Sequence, residues 1–198
     1  MSVVENRSQA ISIEGLRQGD QAEISKMVSV HSPAIFRLAL KMLGNEQDAE
    51  DVLQETFFKA LRSMQNFEER SSLSTWLYRI TINEALMVLR KKKPRLVEID
   101  DDLKDDEGVQ APVELVDFCC LPESELVDGE SKEFLNQAVS RLTPALRSVF
   151  LLRDVEGLSV KEAAETLSVS ESVVKTRLLR ARLKLREELS QYYKERMG

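Results

Sequence analysis

Side chains that can hydrogen-bond to base edges recur with helical spacing near the C-terminus of this sequence. Ser172, Lys175, Thr176, Leu179 and Arg180 share one helix face. Such a face can contact bases in the major groove, while neighbouring cations neutralise phosphates. The flanking cations are Arg177, Arg182, Lys184 and Arg186. This pattern predicts contact with nucleic acid.

A second group of hydrogen-bonding and cationic side chains lies nearer the N-terminus, in a helix predicted from about Leu73 to Lys93. Spacing at 100° per residue separates a polar arc from an apolar arc. The polar arc comprises Thr75, Arg79, Asn83 and Arg90, and the apolar arc comprises Leu73, Trp76, Leu77, Ile80, Met87 and Val88. The cations from Arg90 to Arg95 could bind phosphates, or they could form a solvated basic helix end that suits the dipole.

The elements that would position these side chains are helices, since no stretch of alternating apolar residues argues for a sheet. Asp20 begins a long helix with apolar periodicity that stops at Gly44. Pro33 should kink or break this helix, because proline lacks a backbone N–H and its ring clashes with the preceding turn.

Two further helices are predicted before residue 95. Asn45 caps a helix that continues to about Met64. A polar loop, Gln65 to Ser72, then leads into the helix with the two arcs, which Pro94 stops. The three helices form the first block of the chain.

The C-terminal block has helix-turn-helix spacing. Thr143-Pro144 begins a helix that ends near Gly157. Ser159 opens a capping box and a short helix, and Ser170 caps the final helix after a tight turn. The apolar groups that let the two motif helices cross closely are Ala163, Ala164, Leu167, Val169, Val174, Leu178 and Ala181. An ordinary three-helix bundle with a basic surface helix remains the alternative.

The net charge of −6 is unevenly distributed along the chain. Residues 1–95 carry 14 Lys and Arg against 12 Asp and Glu, residues 96–139 carry 2 against 14, and residues 140–198 carry 12 against 8. The middle segment, with a net charge of −12, also contains Pro112, Pro122 and Gly108, and it is typical of a linker. The overall acidity therefore does not argue against nucleic-acid binding by the two flanks.

These patterns predict an all-α protein of two small helical domains joined by an acidic flexible linker. We place the domains at residues 1–95 and 140–198, with the linker at 96–139 and the helix-turn-helix in the second domain. No apolar run could span a membrane and the start is unlike a signal peptide, so we expect a cytoplasmic protein without membrane insertion.

We expect no metal, cofactor or catalytic residue. Cys119 and Cys120 are adjacent, and His31 alone cannot complete a four-ligand zinc site with them. We assign these three residues no function. No Ser/His/Asp set and no phosphate-binding glycine loop supports an enzyme.

Two motifs resemble those of the extracytoplasmic-function (ECF) sigma factors of bacterial RNA polymerase, in the same order. The first is Asp48-Ala49-Glu50-Asp51-Val52-Leu53-Gln54-Glu55-Thr56. The second is Ser74-Thr75-Trp76-Leu77-Tyr78-Arg79-Ile80-Thr81-Ile82-Asn83, and the C-terminal helix-turn-helix accompanies both. The resemblance covers about Ile13 to Lys93 and Leu142 to Leu189.

The resemblance implies that Asp51, Gln54 and Glu55 dock on a basic coiled coil of the largest polymerase subunit. Their spacing places the three side chains together on a helix. The alternative is a capped and solvated acidic helix. The resemblance also implies core RNA polymerase and promoter DNA as partners, and an anti-sigma factor as a regulator.

The resemblance further implies that the loop from Phe67 to Ser74 and the following helix recognise and melt the minus-10 promoter element and hold a flipped base. The residues assigned to this contact are Ser71, Ser72, Ser74, Thr75, Arg79, Asn83 and Arg90. Trp76 lies at the edge of the apolar arc, so we interpret it as a core anchor more readily than as a stacking platform.

By the same resemblance, the C-terminal domain reads the minus-35 element. The residues assigned to this contact are Ser172, Lys175, Thr176, Arg177, Leu179 and Arg180. Ser168 and Ser172 depart from the glycines that are frequent in the family. A stand-alone repressor is the competing hypothesis; it explains the helix-turn-helix but gives no role to the acidic helix or to the Trp76–Asn83 face.

Overall fold

The computed structural model describes residues 11–92 and 129–197. Across these two ranges all regular secondary structure is helical, which confirms the all-α prediction. The helices are α1 (Ile13–Gln18), α2 (Gln21–Leu43), α3 (Glu46–Ser63), α4 (Leu73–Lys92), α5 (Gly129–Arg141), α6 (Pro144–Phe150), α7 (Val160–Leu167) and α8 (Glu171–Met197). A 3₁₀ turn, Met64–Asn66, follows α3, and a π-helical turn, Leu151–Val155, follows α6.

The predicted helix starts of the N-terminal half, α1 to α4, are confirmed by their caps. The Asp20 side chain accepts a hydrogen bond from the backbone N–H of Ala22 at 2.8 Å, at the start of α2. The Asn45 side chain accepts from the N–H of Asp48 at 2.9 Å, at the start of α3. Gly44 ends α2 in the left-handed conformation, with φ of 68°, which glycine adopts at little cost.

The proline inside α2 does not interrupt it, so of the two expected outcomes at Pro33, a kink or a break, the break is wrong. The helix is assigned continuously from Gln21 to Leu43. Pro33 is exposed, whereas Met27 before it and Ile35 after it are buried in the core. Packing on both sides of the proline can offset the single backbone hydrogen bond that proline removes.

The C-terminal half, α5 to α8, contains the predicted helix-turn-helix. Ser159 and Glu162 form both hydrogen bonds of the capping box at the start of α7. The Ser170 hydroxyl accepts from the N–H of Val173 at 3.3 Å, at the start of α8. Thr143 precedes Pro144 as expected, but its hydroxyl has no hydrogen-bond partner among the described residues.

The helix α5 extends into the range that we assigned to the linker. It starts at Gly129, whereas the predicted linker runs to residue 139; residues 96–128 lie outside the described residues. Leu135, Ala138 and Val139 pack against the core along one side of α5. Because these apolar residues are spaced by three and one, the segment can bury one helix face despite its acidic surroundings.

The two halves share one hydrophobic core. Leu38 and Met42 of α2 and Ile82 and Ala85 of α4 are buried in the same cluster as residues of all four C-terminal helices. The cluster members from the C-terminal half include Ala138, Leu142, Leu146, Val149, Leu152, Ala163, Val174, Leu178 and Leu185. The C-terminal half therefore packs directly on the N-terminal half in this structure.

Arg147 joins the halves by polar contacts within this core. Its buried guanidinium donates to the carbonyl oxygen of Met42 at 2.6 Å. It also donates to the carbonyls of Val139, Ser140 and Leu142 at the end of α5. Burial lowers the pKa of the Arg147 guanidinium, but arginine remains charged in proteins, and these four acceptors satisfy most of its five donors.

The predicted arcs of α4 are partly wrong because this helix packs on two sides. Met87, expected on the apolar arc, is 41% exposed. Ile82 and Ala85, which we did not place on that arc, are fully buried in the shared core. A single-face projection describes a helix with one partner, whereas α4 contacts α2 and α3 on one side and α7 on another.

Candidate functional site

The acidic residues of α3 lie on a solvent-facing side of the helix. Asp51, Gln54 and Glu55 are all exposed. Glu55 lies 3.7 Å from the ammonium of Lys59, but that ammonium makes a closer contact of 2.6 Å with Glu84. An acidic patch with a weakly engaged carboxylate suits a basic partner surface.

An apolar side chain at the C-terminal end of this acidic face was missed by the sequence reasoning. Phe58 is 65% exposed and lies four residues after Gln54 and seven after Asp51, so it shares their face. Its neighbour Phe57 is buried. The adjacent pair Phe57-Phe58 could have indicated an exposed aromatic side chain. Adjacent residues on a helix point about 100° apart and rarely pack into the same core.

The residues assigned to the minus-10 contact are divided by the structure. Arg79, Asn83 and Arg90 are exposed along α4, and Ser72 is exposed at its start. Ser71 and Ser74 are half-buried. The exposed residues of α4 keep the arrangement that the sequence predicts, since their spacing of four and seven places them on one side.

Thr75 differs from the other residues assigned to this contact, because it is buried and only 6% exposed. Its hydroxyl lies 2.9 Å from the Ser72 hydroxyl and donates to the Glu162 carboxylate of α7 at 3.4 Å. Ser72 also accepts from the N–H of Thr75, as a helix cap does. In this structure Thr75 cannot contact DNA, because α7 of the opposite half covers it.

Glu162 and Tyr78 carry further polar contacts between the halves. Hydrogen bonds from the backbone and side chain of Ser159 lower the pKa of the Glu162 carboxyl, and the bond from Thr75 adds to this effect. The hydroxyl of Tyr78 on α4 is half-buried and hydrogen-bonds Glu156; burial first and this bond second raise its pKa. The contact between α4 and the C-terminal half is therefore polar at its edges and apolar at its centre.

An open cleft of about 460 Å³ lies between α3 and α4 beside the exposed Asn83. Its lining residues are Lys59, Arg62, Ser63, Ile80, Asn83 and Glu84. Lys59 and Arg62 were missed because the sequence reasoning took the minus-10 contact from α4 and the preceding loop alone. They add cationic groups next to Asn83, where a phosphate or a base edge could bind.

Trp76 packs as a core anchor, as the sequence indicated. Its ring lies 4.8 Å from the ring of Phe67, centroid to centroid, at an interplanar angle of 38°. It also packs against the buried cluster that includes Leu16, Met64 and Leu77. The start of the loop is thereby fixed to α4.

The helix-turn-helix has the predicted inner packing. Ala163, Ala164, Val174, Leu178 and Ala181 are buried, and Leu167 and Val169 pack against the same cluster. On the outer side of α8, the minus-35 residues Ser172 and Lys175 are exposed, and Thr176, Arg177, Leu179 and Arg180 are half-buried. The face predicted to read bases therefore includes solvent-accessible groups.

Arg182 corrects the predicted set of phosphate-binding cations. Its guanidinium donates to both oxygens of Asp154, at 2.9 and 2.7 Å. Such a bidentate pair holds the charge against the protein. Lys184 and Arg186 are exposed as expected for flanking cations.

The turn of the motif adopts a left-handed conformation with a serine in place. Ser168 has φ of 55° and ψ of 43° and ends α7. Glycine adopts this conformation readily, whereas serine is strained there by an estimated ~1 kcal/mol or more. Ser168 therefore adopts the left-handed turn conformation that glycine would supply.

Two family models match the chain in the order of these sites. The model of sigma-70 region 2 matches residues 27–95, and the model of sigma-70 region 4 matches residues 135–185. The first range contains the acidic face and the exposed side of α4, and the second contains the helix-turn-helix. These matches define a transcription initiation factor of the sigma-70 class.

Relatives matched along most of this chain place it in a narrower family within the sigma-70 class. The chain is 34% identical over 177 residues to the ECF RNA polymerase sigma factor SigW of Bacillus subtilis, covering 89% of this chain and 94% of that protein. It is 35% identical over 181 residues to the ECF RNA polymerase sigma factor SigE of Mycolicibacterium smegmatis, covering 89% of this chain and 66% of that protein. The chain belongs to the ECF sigma factors, which direct core RNA polymerase to promoters.

Solved structures agree with the fold. CnrH, solved in complex with the cytosolic domain of CnrY, matches with a TM-score of 0.63 at 23% identity, over 90% of this chain and 95% of that one. The sigma factor RpoE of Bartonella quintana, solved with the anti-sigma factor NepR, matches with a TM-score of 0.60 at 23% identity, over 84% of this chain and 96% of that one. Among the described residues, no helix combines the length and apolar character needed to cross a membrane.

Proposed function

We propose that the exposed acidic face of α3 docks on a basic coiled coil of the largest polymerase subunit. Asp51, Gln54 and Glu55 supply the polar contacts, and Phe58 supplies an apolar contact beside them. The exposure of all four side chains supports this proposal. Interfaces are enriched in aromatic residues at their centre, with charged groups around them.

We further propose that residues 1–95 form the minus-10 domain and that the linker joins it to a minus-35 domain that includes α5. Arg79, Asn83 and Arg90 contact the minus-10 strand, with Lys59 and Arg62 beside them. Ser172, Lys175, Thr176, Arg177, Leu179 and Arg180 contact the minus-35 duplex. The observation that carries this assignment is the exposure of both polar helix faces on opposite halves of one chain.

The packed halves must separate before both promoter elements are bound. The elements are named for positions about 25 base pairs apart, roughly 85 Å along B-form DNA at about 3.4 Å per base pair. A compact chain of 198 residues has a radius of gyration of only about 16 Å. Opening also frees Thr75, so its predicted minus-10 contact belongs to the open form.

The packed form is the state that an anti-sigma factor would hold. The structures of CnrH and RpoE, each solved with a partner protein, have a similar fold. We infer that this chain also has an anti-sigma partner, that it acts in the cytoplasm, and that it has no catalytic activity of its own. Core polymerase would supply the chemistry.

Replacing Asn83 or Arg79 by alanine will reduce opening of the minus-10 region while leaving polymerase binding intact. Both residues are exposed on α4, whereas the acidic residues assigned to polymerase docking lie on α3. Loss of one hydrogen bond to an unpaired base costs about 0.5–1.5 kcal/mol, or about 1.5–3 kcal/mol where the side chain is charged. Permanganate footprinting measures the unpaired thymines, and a binding titration measures polymerase affinity.

The matched control for that experiment is Arg141→Ala, which removes an exposed arginine from the other half. It should leave promoter opening unchanged. If the α4 variants instead lose polymerase affinity, the two faces have been assigned to the wrong partners.

Replacing Arg180 by alanine, and less severely Lys175, will weaken recognition of the minus-35 element. A base contact in the major groove is worth about 1–3 kcal/mol, so the preference for the cognate element should fall by about tenfold. Lys184→Ala is the control: loss of a phosphate contact weakens binding to all sequences alike. Transcription from cognate and minus-35-substituted promoters measures both effects; an unchanged preference in Arg180→Ala would refute the assignment.

A further inference from the structure

The loop that enters α4 is held by a helix outside the residues matched by the region 2 model. Helix α1, Ile13–Gln18, precedes the matched range of 27–95. We propose that α1 positions the minus-10 recognition loop and that Arg17 is the positioning residue. This inference rests on the proposed function, in which the segment from Phe67 to Ser74 contacts promoter DNA.

Arg17 contacts the loop at two residues. One guanidinium nitrogen, Nη2, donates to the carbonyl oxygen of Phe67 at 2.7 Å and to Oε1 of Glu69 at 3.0 Å. In return, the Gln65 side chain donates to the carbonyl oxygen of Arg17 at 2.7 Å. Three hydrogen bonds therefore join α1 to the segment between α3 and α4.

Glu69 needs such support because of its backbone conformation. Its φ is +56°, in the left-handed region that residues other than glycine adopt at a cost. Non-glycine residues persist there when surrounding contacts hold them. Within the described residues, the only other non-glycine residue with positive φ is Ser168, in the turn of the helix-turn-helix.

Helix α1 is itself fixed, so it can act as a reference point. Leu16 is buried in the cluster that contains Phe67 and Met64. The Ser12 hydroxyl caps the helix at the N–H of Gly15, and the Ser12 N–H donates to Glu23 of α2 at 2.7 Å. Arg17 therefore fixes the loop relative to α2 through α1.

A positioning role for Arg17 changes how well the loop discriminates between bases, whereas simple stabilisation would change activity on all promoters alike. Loosening the loop alters how well Ser71, Ser72 and Ser74 discriminate between bases, while the docking face on α3 and the reading face on α8 remain intact. We expect Arg17→Ala to reduce the preference for the cognate minus-10 element by about tenfold, because it removes both hydrogen bonds from the charged guanidinium to the loop. The preference at the minus-35 element should not change.

The experiment measures transcription by the holoenzyme on a cognate promoter and on two substituted sets, one in each element. Arg17→Lys should lie between wild type and Arg17→Ala, because one ammonium cannot reproduce the planar donor geometry. Glu14→Gln is the matched control: Glu14 lies 3.7 Å from the Arg17 guanidinium, and within the described residues its carboxylate bonds α1 and not the loop. It should leave both preferences unchanged.

Glu69→Gln tests the same contact from the loop side and leaves α1 untouched, so it serves if Arg17→Ala fails to fold. Its loss of minus-10 preference should be less than additive with that of Arg17→Lys. An unchanged minus-10 preference in Arg17→Ala, or an equal loss on every promoter in both sets, would overturn the inference. If Asn83→Ala also leaves the minus-10 preference unchanged, the proposed function of this face fails as well; a defect in Asn83→Ala alone rejects only the role of Arg17.

Discussion

Asp51→Arg and Glu55→Arg will each weaken binding to core RNA polymerase by more than about 30-fold. Both carboxylates are exposed on α3, on the face that also carries the exposed Phe58. Reversing a charge replaces an attraction with a repulsion, and coupling energies of close interfacial charge pairs are about 1.5–7 kcal/mol. A titration of labelled protein with core polymerase, without DNA, measures the loss directly.

Glu133→Arg is the matched control for these reversals. Glu133 is exposed and undergoes the same charge change, but it lies on α5 and not on the docking face of α3. Its effect should be several-fold smaller. Equal losses in all three variants would show that net charge, and not this face, determines the affinity.

The free protein will bind duplex promoter DNA weakly, and core polymerase will tighten specific binding by more than about 100-fold. Residues 96–139 carry a net charge of −12, whereas the segments on either side carry only +2 and +4, so attraction to phosphate is poor. In the packed form, the two DNA-binding faces cannot reach both elements. Polymerase that holds them apart turns two weak contacts into one bivalent contact.

This expectation is measured as duplex affinity with and without core polymerase at one fixed salt concentration, on cognate and scrambled promoters. Nanomolar, sequence-specific binding by the free protein would contradict it. If the reversals at Asp51 and Glu55 also have no effect on polymerase binding, the two results together would favour a stand-alone repressor.

Local signals explain which parts of the fold could be predicted from the sequence. The caps at Asp20, Asn45 and Ser159 depend on a side chain and the backbone N–H groups two or three residues away, so a short stretch of sequence specifies them. The inner residues of the helix-turn-helix follow the same logic, because the two motif helices are adjacent in the chain. Asp51, Gln54 and Glu55 are exposed together on α3 because their spacing within one helix determines which side they face.

The errors arise where distant segments meet. Thr75 is buried by Glu162, which follows it by 87 residues, and no periodicity within α4 reveals that partner. Arg182 is paired with Asp154 across two helices. Met87 is exposed although it was placed on the apolar arc, and Ile82 is buried although it was not. Both differences arise because α4 packs against the C-terminal half as well as against α2 and α3.

The core shared by the two halves sets a threshold for activity. Separating Leu38, Met42 and Ile82 from the C-terminal helices exposes apolar surface to water, at about 25 cal/mol for each Å². If only a small fraction of molecules is open, the apparent dissociation constant for binding both promoter elements at once rises by the inverse of that fraction. The packing of a few aliphatic side chains thus determines how readily the two DNA-binding faces can occupy their elements together.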